Sequence, residues 1–558
     1  MTATRSLLIR NACIVDGTGG ALRDGDVAVV DGRIAAVGKD LPRSGLAGEA
    51  RELDARGRAL APGFIDVHTH FDPQICWDRL ATPCLEHGVT TVLMGNCSLS
   101  LAPVRKPDRR ALAGMFKQIE DIQLATFDAG VPWSWETYPE YLDAIRPGLG
   151  INVAGLVGHS PLRTYVMGAA AQERAATDDE IAAMCAILQD AIRGGAAGLS
   201  TSYVDIDEEM KPVPSRWATR DEVIALGKAM QAVGRGLIQT VPVFYNPPEQ
   251  IQNIRDMGDI SRATGLMCSV APIVHNALVG DLWRDSLAAL DEEAQRGAQV
   301  FGQSMPRTFD INLRLSETSF LLYGAPAWAA IMRLPLAERL AAFADPARRE
   351  ELRNHAMLLG PLLNVLLVGQ TTPKNAALQG RMLGDLASER GVTPADAMLD
   401  LACDENLQTE FSLRNLIHAD PDGVTAILSH PRIHIGASDA GAHIAQFCGA
   451  GDTSYLLARW VRDLKAFSLE RAVYRLTGEL ADAFGIRGRG RIAVGQAADL
   501  VLFDPAAIDR GGEDFVHDVP GGGNRYVRHA TGIDLVAVNG AVTWEQGAYS
   551  TARAGEIV

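Results

Sequence analysis

The chain has no CxxC pair among its eight cysteines, which stand at positions 13, 76, 84, 97, 185, 268, 403 and 448. Scattered single thiols exclude a disulfide framework and fit a reducing, cytoplasmic setting. No apolar run is long enough to span a bilayer. The opening segment MTATRSLLIRNACIVDG lacks the apolar core and small-residue cleavage site of a signal peptide. Positive charge is scarce, with 52 Lys+Arg against 68 Asp+Glu and a net charge of −16. That deficit argues against nucleic-acid binding, which needs a basic footprint, and favours a self-repelling soluble surface. There is no GxSxG nucleophile elbow. The glycine run Pro520-Gly521-Gly522-Gly523-Asn524 follows no strand and opens no helix, so it is a loop and not a phosphate cradle. Internal repeats and low-complexity tracts are absent too.

What is present is globular, with 47% hydrophobic and 22% charged residues. Both ends read as β structure. Ser6–Val15, Asp26–Val30 and Arg33–Val37 are short β-branched runs, with an Asp31-Gly32 hairpin bend. Ala498–Phe503 and Asp534–Val538 read the same way, separated by a Gly/Pro-rich loop. One small β-domain built from residues 1–60 and 485–558 is expected.

Between them, over 61–484, short apolar runs alternate with helical patterns. Phe64–Val67 precedes a helix-like Asp78–His87, and Asp179–Arg193 and Arg220–Val233 are helical. Such alternation predicts parallel strands with crossover helices, closed into an α/β (β/α)₈ TIM barrel. Several runs end in polar or metal-capable residues, where barrel chemistry sits. Residues from about 305 to 380 break the rhythm and read as an insertion, either shaping a substrate pocket or adding packing or an oligomer surface.

The strongest signal is Ala61-Pro62-Gly63-Phe64-Ile65-Asp66-Val67-His68-Thr69-His70. Alternate residues of a strand face one side. His68 and His70 therefore point together, and two neutral imidazoles so placed can converge on one Zn²⁺. The second signal is Ile435-Gly436-Ala437-Ser438-Asp439-Ala440-Gly441-Ala442-His443. An Asp at the end of a late strand can ligate a metal and take a proton from water, or it can cap the next helix. His443, four residues on, either supports this site, contacts substrate or lies at the surface. In Gly302-Gln303-Ser304-Met305-Pro306-Arg307, Arg307 is a candidate for an anionic substrate group, against a solvated arginine.

PGFIDVHTHFD, GNCS, NVAGLVGHSPLR, GASDAGAH and RGRIAVGQAADLVLFDP together resemble the amidohydrolase superfamily. Within it the chain is most similar to the N-acyl-D-amino-acid deacylase (D-aminoacylase) branch, from residue 6 to about 540. The resemblance implies a metal-dependent TIM barrel with a composite β-sandwich. It makes His68, His70 and Asp439 metal ligands, with Asp439 also the proton shuttle. Cys97 becomes a thiolate ligand after the second strand, the alternative being an ordinary buried cysteine. His275 becomes a ligand from the sixth strand. His159 stands behind the ligands, and Arg163 offers a fork of N–H groups to a carboxylate.

The chain departs from the branch at the fifth strand, and its fourth strand offers no lysine for a carbamylated bridge between two metals. Where the fifth strand should end in histidine it has Gly236-Leu237-Ile238-Gln239-Thr240. The fourth, Gly198-Leu199-Ser200-Thr201, has no lysine, and Lys211 is too far along the loop. Gln239 offers a carbonyl oxygen but no imidazole, so one firmly bound zinc is expected and not two. The expected activity is hydrolysis of an amide C–N bond in a small molecule, an N-acyl (D-)amino acid or related amide. Hydrolysis of a cyclic amide, imide or lactone, deamination, and a decayed non-catalytic binding protein are the alternatives. Self-association as a homo-oligomer is compatible with a barrel of this size, and no sequence feature sets its number.

Overall fold

The computed structural model describes residues 6–43, 50–317, 319–323, 325–355 and 360–558. The first five residues of the opening segment, and positions 318, 324 and 356–359 within the insertion, lie outside the described residues.

Eight short strands organise the middle of the chain: β1 (Phe64–Asp66), β2 (Val89–Met94), β3 (Asn152–Gly158), β4 (Gly198–Ser202), β5 (Ile238–Val241), β6 (Cys268–Val270), β7 (Val300–Ser304) and β8 (Ile433–Ile435). They pair in parallel in chain order. A parallel bridge between Thr69 and Ala440 joins the outer two, and the barrel closes. The crossover helices carry their own start and stop signals. In Asp178–Gly194 the Thr177 side chain accepts from Glu180 N–H, and Glu180 reaches back to the Thr177 backbone. Met184, Leu188, Ala191 and Ile192 form its buried stripe. Arg220–Val233 is capped by Thr219 and stops at the left-handed Gly234.

The helix expected over Asp78–His87 is not there. Two short 3₁₀ turns, Gln74–Cys76 and Cys84–His87, stand in its place. The Asp78 carboxylate takes the N–H groups of Leu80 and Thr82, and Pro83 has none to give, so the turn cannot propagate.

The chain ends meet in one nine-stranded sheet. Ala59–Pro62 pairs antiparallel with Leu500–Phe503, zipping N-terminal to C-terminal strands. Asp31 and Gly32 both have positive φ (49° and 81°), as the tight hairpin between Arg23–Val30 and Arg33–Gly38 requires. Asp499, from the AADL segment, is the buried seam to the barrel. Its carboxylate accepts from Asn152 Nδ2 (3.0 Å) and Asn539 N–H (2.7 Å) and pairs with Arg489. The Gly/Pro-rich stretch expected to be a loop is instead a long hairpin, Asp509–Val519 against Gly523–Thr531.

The insertion has a hydrophobic core of its own, including Trp328, Phe343, Met398 and Phe411. Its sheet pairs Phe309–Arg314 with Glu410–Ile417, so it runs well past residue 380. Return to the first strand from a hundred residues away is a long-range pairing that local periodicity does not carry.

Candidate metal centre

His68 and His70 follow β1 directly. Asp439 follows β8, and the two segments are zipped together: Asp439 N–H donates to His68 O (3.1 Å) and His70 N–H to Ala440 O (2.7 Å). Gly441, at φ +88°, allows this approach, because a Cβ there would sit 2.8 Å from the His70 carbonyl carbon.

Cys97 leaves β2 through a sharp turn. Gly95 has φ +82°, and a Cβ there would lie 2.2 Å from Leu156 O. Its N–H is taken by Asp72 Oδ2 at 2.9 Å. Asn96 Nδ2 donates to Thr69 O and Leu93 O. Cys97 itself is left-handed at φ +55°, and its N–H donates to Gln239 Oε1 at 3.0 Å. The turn thereby delivers the thiol to the two imidazoles.

The Nε2 atoms of His68 and His70 lie 3.3 and 3.6 Å from Cys97 Sγ. The three residues offer ligand atoms all within 4.8 Å of one another. Asp439 Oδ1 stands 3.1 Å from His70 Nε2 and 3.6 Å from His68 Nε2. The opposite ring nitrogens both stand beside side-chain oxygens. His68 Nδ1 lies 3.1 Å from Gln303 Oε1, and Gln303 Nε2 donates to Ser269 Oγ, which sets the amide's orientation. His70 Nδ1 stands 3.0 Å from Glu120 Oε1. With each Nδ1 facing an acceptor, each Nε2 lone pair turns toward the shared space, the arrangement a metal ligand needs. Two imidazoles, one thiol and a carboxylate form a donor set suited to Zn²⁺.

The local electrostatics fit a site built for a cation. Burial pushes the His68 imidazole down to about 4. Burial also pushes the Cys97 thiol far up, only partly offset by His70. A coordinated cation reverses that order and takes a thiol to its thiolate. For Asp439, burial favours the neutral acid, but the imidazoles of His70, His443 and His68 outweigh it and hold the carboxyl below the usual range. Asp439 and His443, with side chains 22% and 18% exposed, are the open flank of an otherwise closed cluster.

Four candidates from the sequence, His275, His159, Arg163 and Arg307, lie outside the cluster. His275 does not join the cluster: its Nε2 is 3.8 Å from Asp420 and its ring packs on Trp283. Strand β6 ends at Val270, and the Ala271–Val274 segment leads His275 to Asp420 and to His418, whose N–H donates to His275 O at 2.8 Å. Arg163 does hold a carboxylate, but the protein's own. It pairs with buried Glu222, which also accepts from His159 Nε2 at 2.9 Å, and the His159 Nδ1 contacts Thr201 Oγ1. Arg307 is buried, with Nη2 donating to Ser438 O (2.7 Å) and Nε 3.4 Å from Asp452. It braces the Asp439 turn from behind.

Asp72, Glu120, Asp121 and Gln446 were not anticipated. Glu120 and Asp121 end the helix Arg109–Glu120, and nothing in its period marks them apart from a solvated acidic end. The Asp of HTHFD was the one legible signal.

The model of the Amidohydrolase family matches residues 51–544. The chain is 31% identical to a D-aminoacylase of Alcaligenes xylosoxydans xylosoxydans, covering 99% of this chain and 97% of that one. Among solved structures it is similar to a D-aminoacylase described by a binuclear metal centre with one-metal activation and second-metal attenuation (28% identity, TM-score 0.67, 98% of both chains). It is equally similar to an N-acyl-D-glutamate deacylase of Bordetella bronchiseptica complexed with zinc and a phosphonate mimic of the tetrahedral intermediate (27% identity, TM-score 0.67, 100% and 99% covered).

Proposed function

The chain belongs to the amidohydrolase family, and from that premise we propose that it is a metal-dependent deacylase, hydrolysing the amide C–N bond of an N-acyl amino acid of D configuration. The carrying observation is the convergence of His68 Nε2, His70 Nε2 and Cys97 Sγ beside Asp439 Oδ1. These four residues would hold one Zn²⁺. A bound zinc ion supplies Lewis acidity for the carbonyl and a water nucleophile at neutral pH.

Gln239 supports a single ion. Its Oε1 already accepts from the Cys97 N–H, and its Nε2 is a donor, so it offers a second ion one remaining oxygen lone pair and no imidazole nitrogen.

The protein's own part falls to Asp439. Its carboxylate accepts the proton of the attacking water, and the resulting acid donates to the departing nitrogen. The left-handed backbone at Asp439 (φ +62°) and the hydrogen bond of its N–H to His68 O fix the turn from which Oδ1 faces the two imidazoles and Oδ2 faces His443. Glu120 and Gln303 hold the ligand rings, so little rearrangement is needed at the moment of reaction.

Elemental analysis of protein purified without added metal or chelator, followed by an amine-release assay on N-acetyl D- and L-amino acids, tests this. About one zinc per chain with D-selective release is expected. No metal, with none taken up from Zn²⁺, would overturn it.

A further inference from the structure

Asp439 is approached from two sides. The imidazoles of His68 and His70 face Oδ1, whereas His443 Nε2 faces Oδ2 at 3.9 Å. His443 Nδ1 stands 2.8 Å from Asp121 Oδ2, and the Asp121 side chain is fully buried. Asp121 takes the left-handed conformation (φ +58°) where its helix ends, which turns its carboxylate into the site. The same Oδ2 accepts from Gln446 Nε2.

Gln446 is fully buried and gripped by the insertion at two points. Its Oε1 accepts from Ser319 Oγ at 2.9 Å, and its backbone carbonyl accepts from Asn312 N–H at 2.8 Å. An amide has fixed polarity, with an acceptor at one end and donors at the other. Ser319 and Asp121 satisfy those ends in the one orientation that lets the amide donate to the carboxylate. With Asp121 facing Nδ1, the His443 ring presents Nε2 to Asp439.

We propose that Gln446 is a positioning residue through which the insertion holds Asp121 and His443 in place behind the proton-carrying oxygen of Asp439. This rests on the reading of Asp439 given above. The insertion is then part of the catalytic apparatus. Without the Gln446 donor, Asp121 loses one of the groups that fix its carboxylate. The imidazole is then free to tilt, and a displacement of about 1 Å near the chemistry is worth on the order of a hundredfold in rate.

The test uses full-length, metal-loaded Gln446→Met, Ser319→Ala and Ser319→Thr. Gln446→Met should lower kcat by about tenfold to a hundredfold, with KM within about threefold and metal content unchanged. Ser319→Ala should fall between it and the wild type, and Ser319→Thr, which keeps the hydroxyl, should restore kcat. In ¹⁵N-histidine spectra the His443 ring signals, identified by their absence from His443→Asn, should move in Gln446→Met and Ser319→Ala and not in Ser319→Thr. Wild-type kcat with unmoved His443 signals would overturn the proposal. So would losses in both Gln446→Met and Ser319→Ala that merely track lost metal or lost folded protein. The spectra read the link even if the wild type cleaves no amide, so failure of the functional reading remains separate.

Discussion

Glu120 Oε1 stands 3.0 Å from His70 Nδ1, with both side chains buried. The carboxylate stands on the side of the ring away from the cluster, and its charge favours a cationic imidazole. Burial alone would disfavour a positive charge on this ring, and Glu120 followed by Cys97 more than compensates. Glu120→Gln should weaken zinc binding by about tenfold to a hundredfold without unfolding the barrel. Competition against a chromogenic chelator measures it, and unchanged affinity would mean that Glu120 serves packing alone.

Asp439→Asn keeps the shape of the side chain and removes its capacity to carry a proton. Amide hydrolysis should fall by about 10²–10⁴-fold. His68, His70 and Cys97 remain, so zinc content per chain should stay near that of the wild type. Retained turnover would assign the proton to another group.

Removing the metal should destabilise the fold. The cluster ties residues after β1, after β2 and after β8, and an ion that binds only the folded state adds about 4 kcal/mol at a thousandfold excess over its Kd. Thermal unfolding with and without chelator should show a lower midpoint for the apo protein, restored by one equivalent of Zn²⁺. An unmoved midpoint would contradict a site formed by these three segments.

Arg163→Met should damage stability, not substrate binding. It strands buried Glu222 beside His159 without its guanidinium partner. Breaking such a pair costs about 3–5 kcal/mol. Denaturant titration should show the loss, while KM of the folded fraction stays within about twofold. A raised KM at full stability would restore Arg163 as a substrate ligand.

Stability should decline in acid partly through His434, which is stacked on Phe301 with ring centroids 4.7 Å apart. Burial pushes this imidazole down to about 3, from an ordinary 6.5. Below 6.5 the unfolded chain binds a proton that the folded chain does not. The contribution is therefore complete above about pH 6.5 and is lost as pH falls toward 3, amounting to about 2 kcal/mol by pH 5. His434→Phe removes it. Between pH 8 and pH 5 the wild type should lose about 2 kcal/mol more than the variant, and equal losses would refute the assignment.

Much of the fold and part of the site were legible because they are local. The extended segment that continues β1, pinned by the Thr69–Ala440 bridge, puts His68 and His70 together, as the His-x-His spacing predicts. The helical periods over Asp179–Arg193 and Arg220–Val233 are helices Asp178–Gly194 and Arg220–Val233 in the structure. His275 was misplaced because strand length decides which residue reaches the barrel mouth, and β6 ends at Val270. Arg163 was misread because its partner, Glu222, lies on another helix 59 residues away.

By itself the sequence determined the family, the parallel barrel, the paired histidines and the late-strand aspartate. Each of these is written in a period of two or 3.6 residues, or in a short motif with a backbone requirement of its own. Only the tertiary structure decided which buried charges meet. Glu120 and Asp121 are neighbours on the chain, yet one backs His70 and the other His443. The insertion reaches Asp439 through Gln446. Pairings of this kind are made across the barrel mouth, by groups whose sequence separation carries no information about their distance in space.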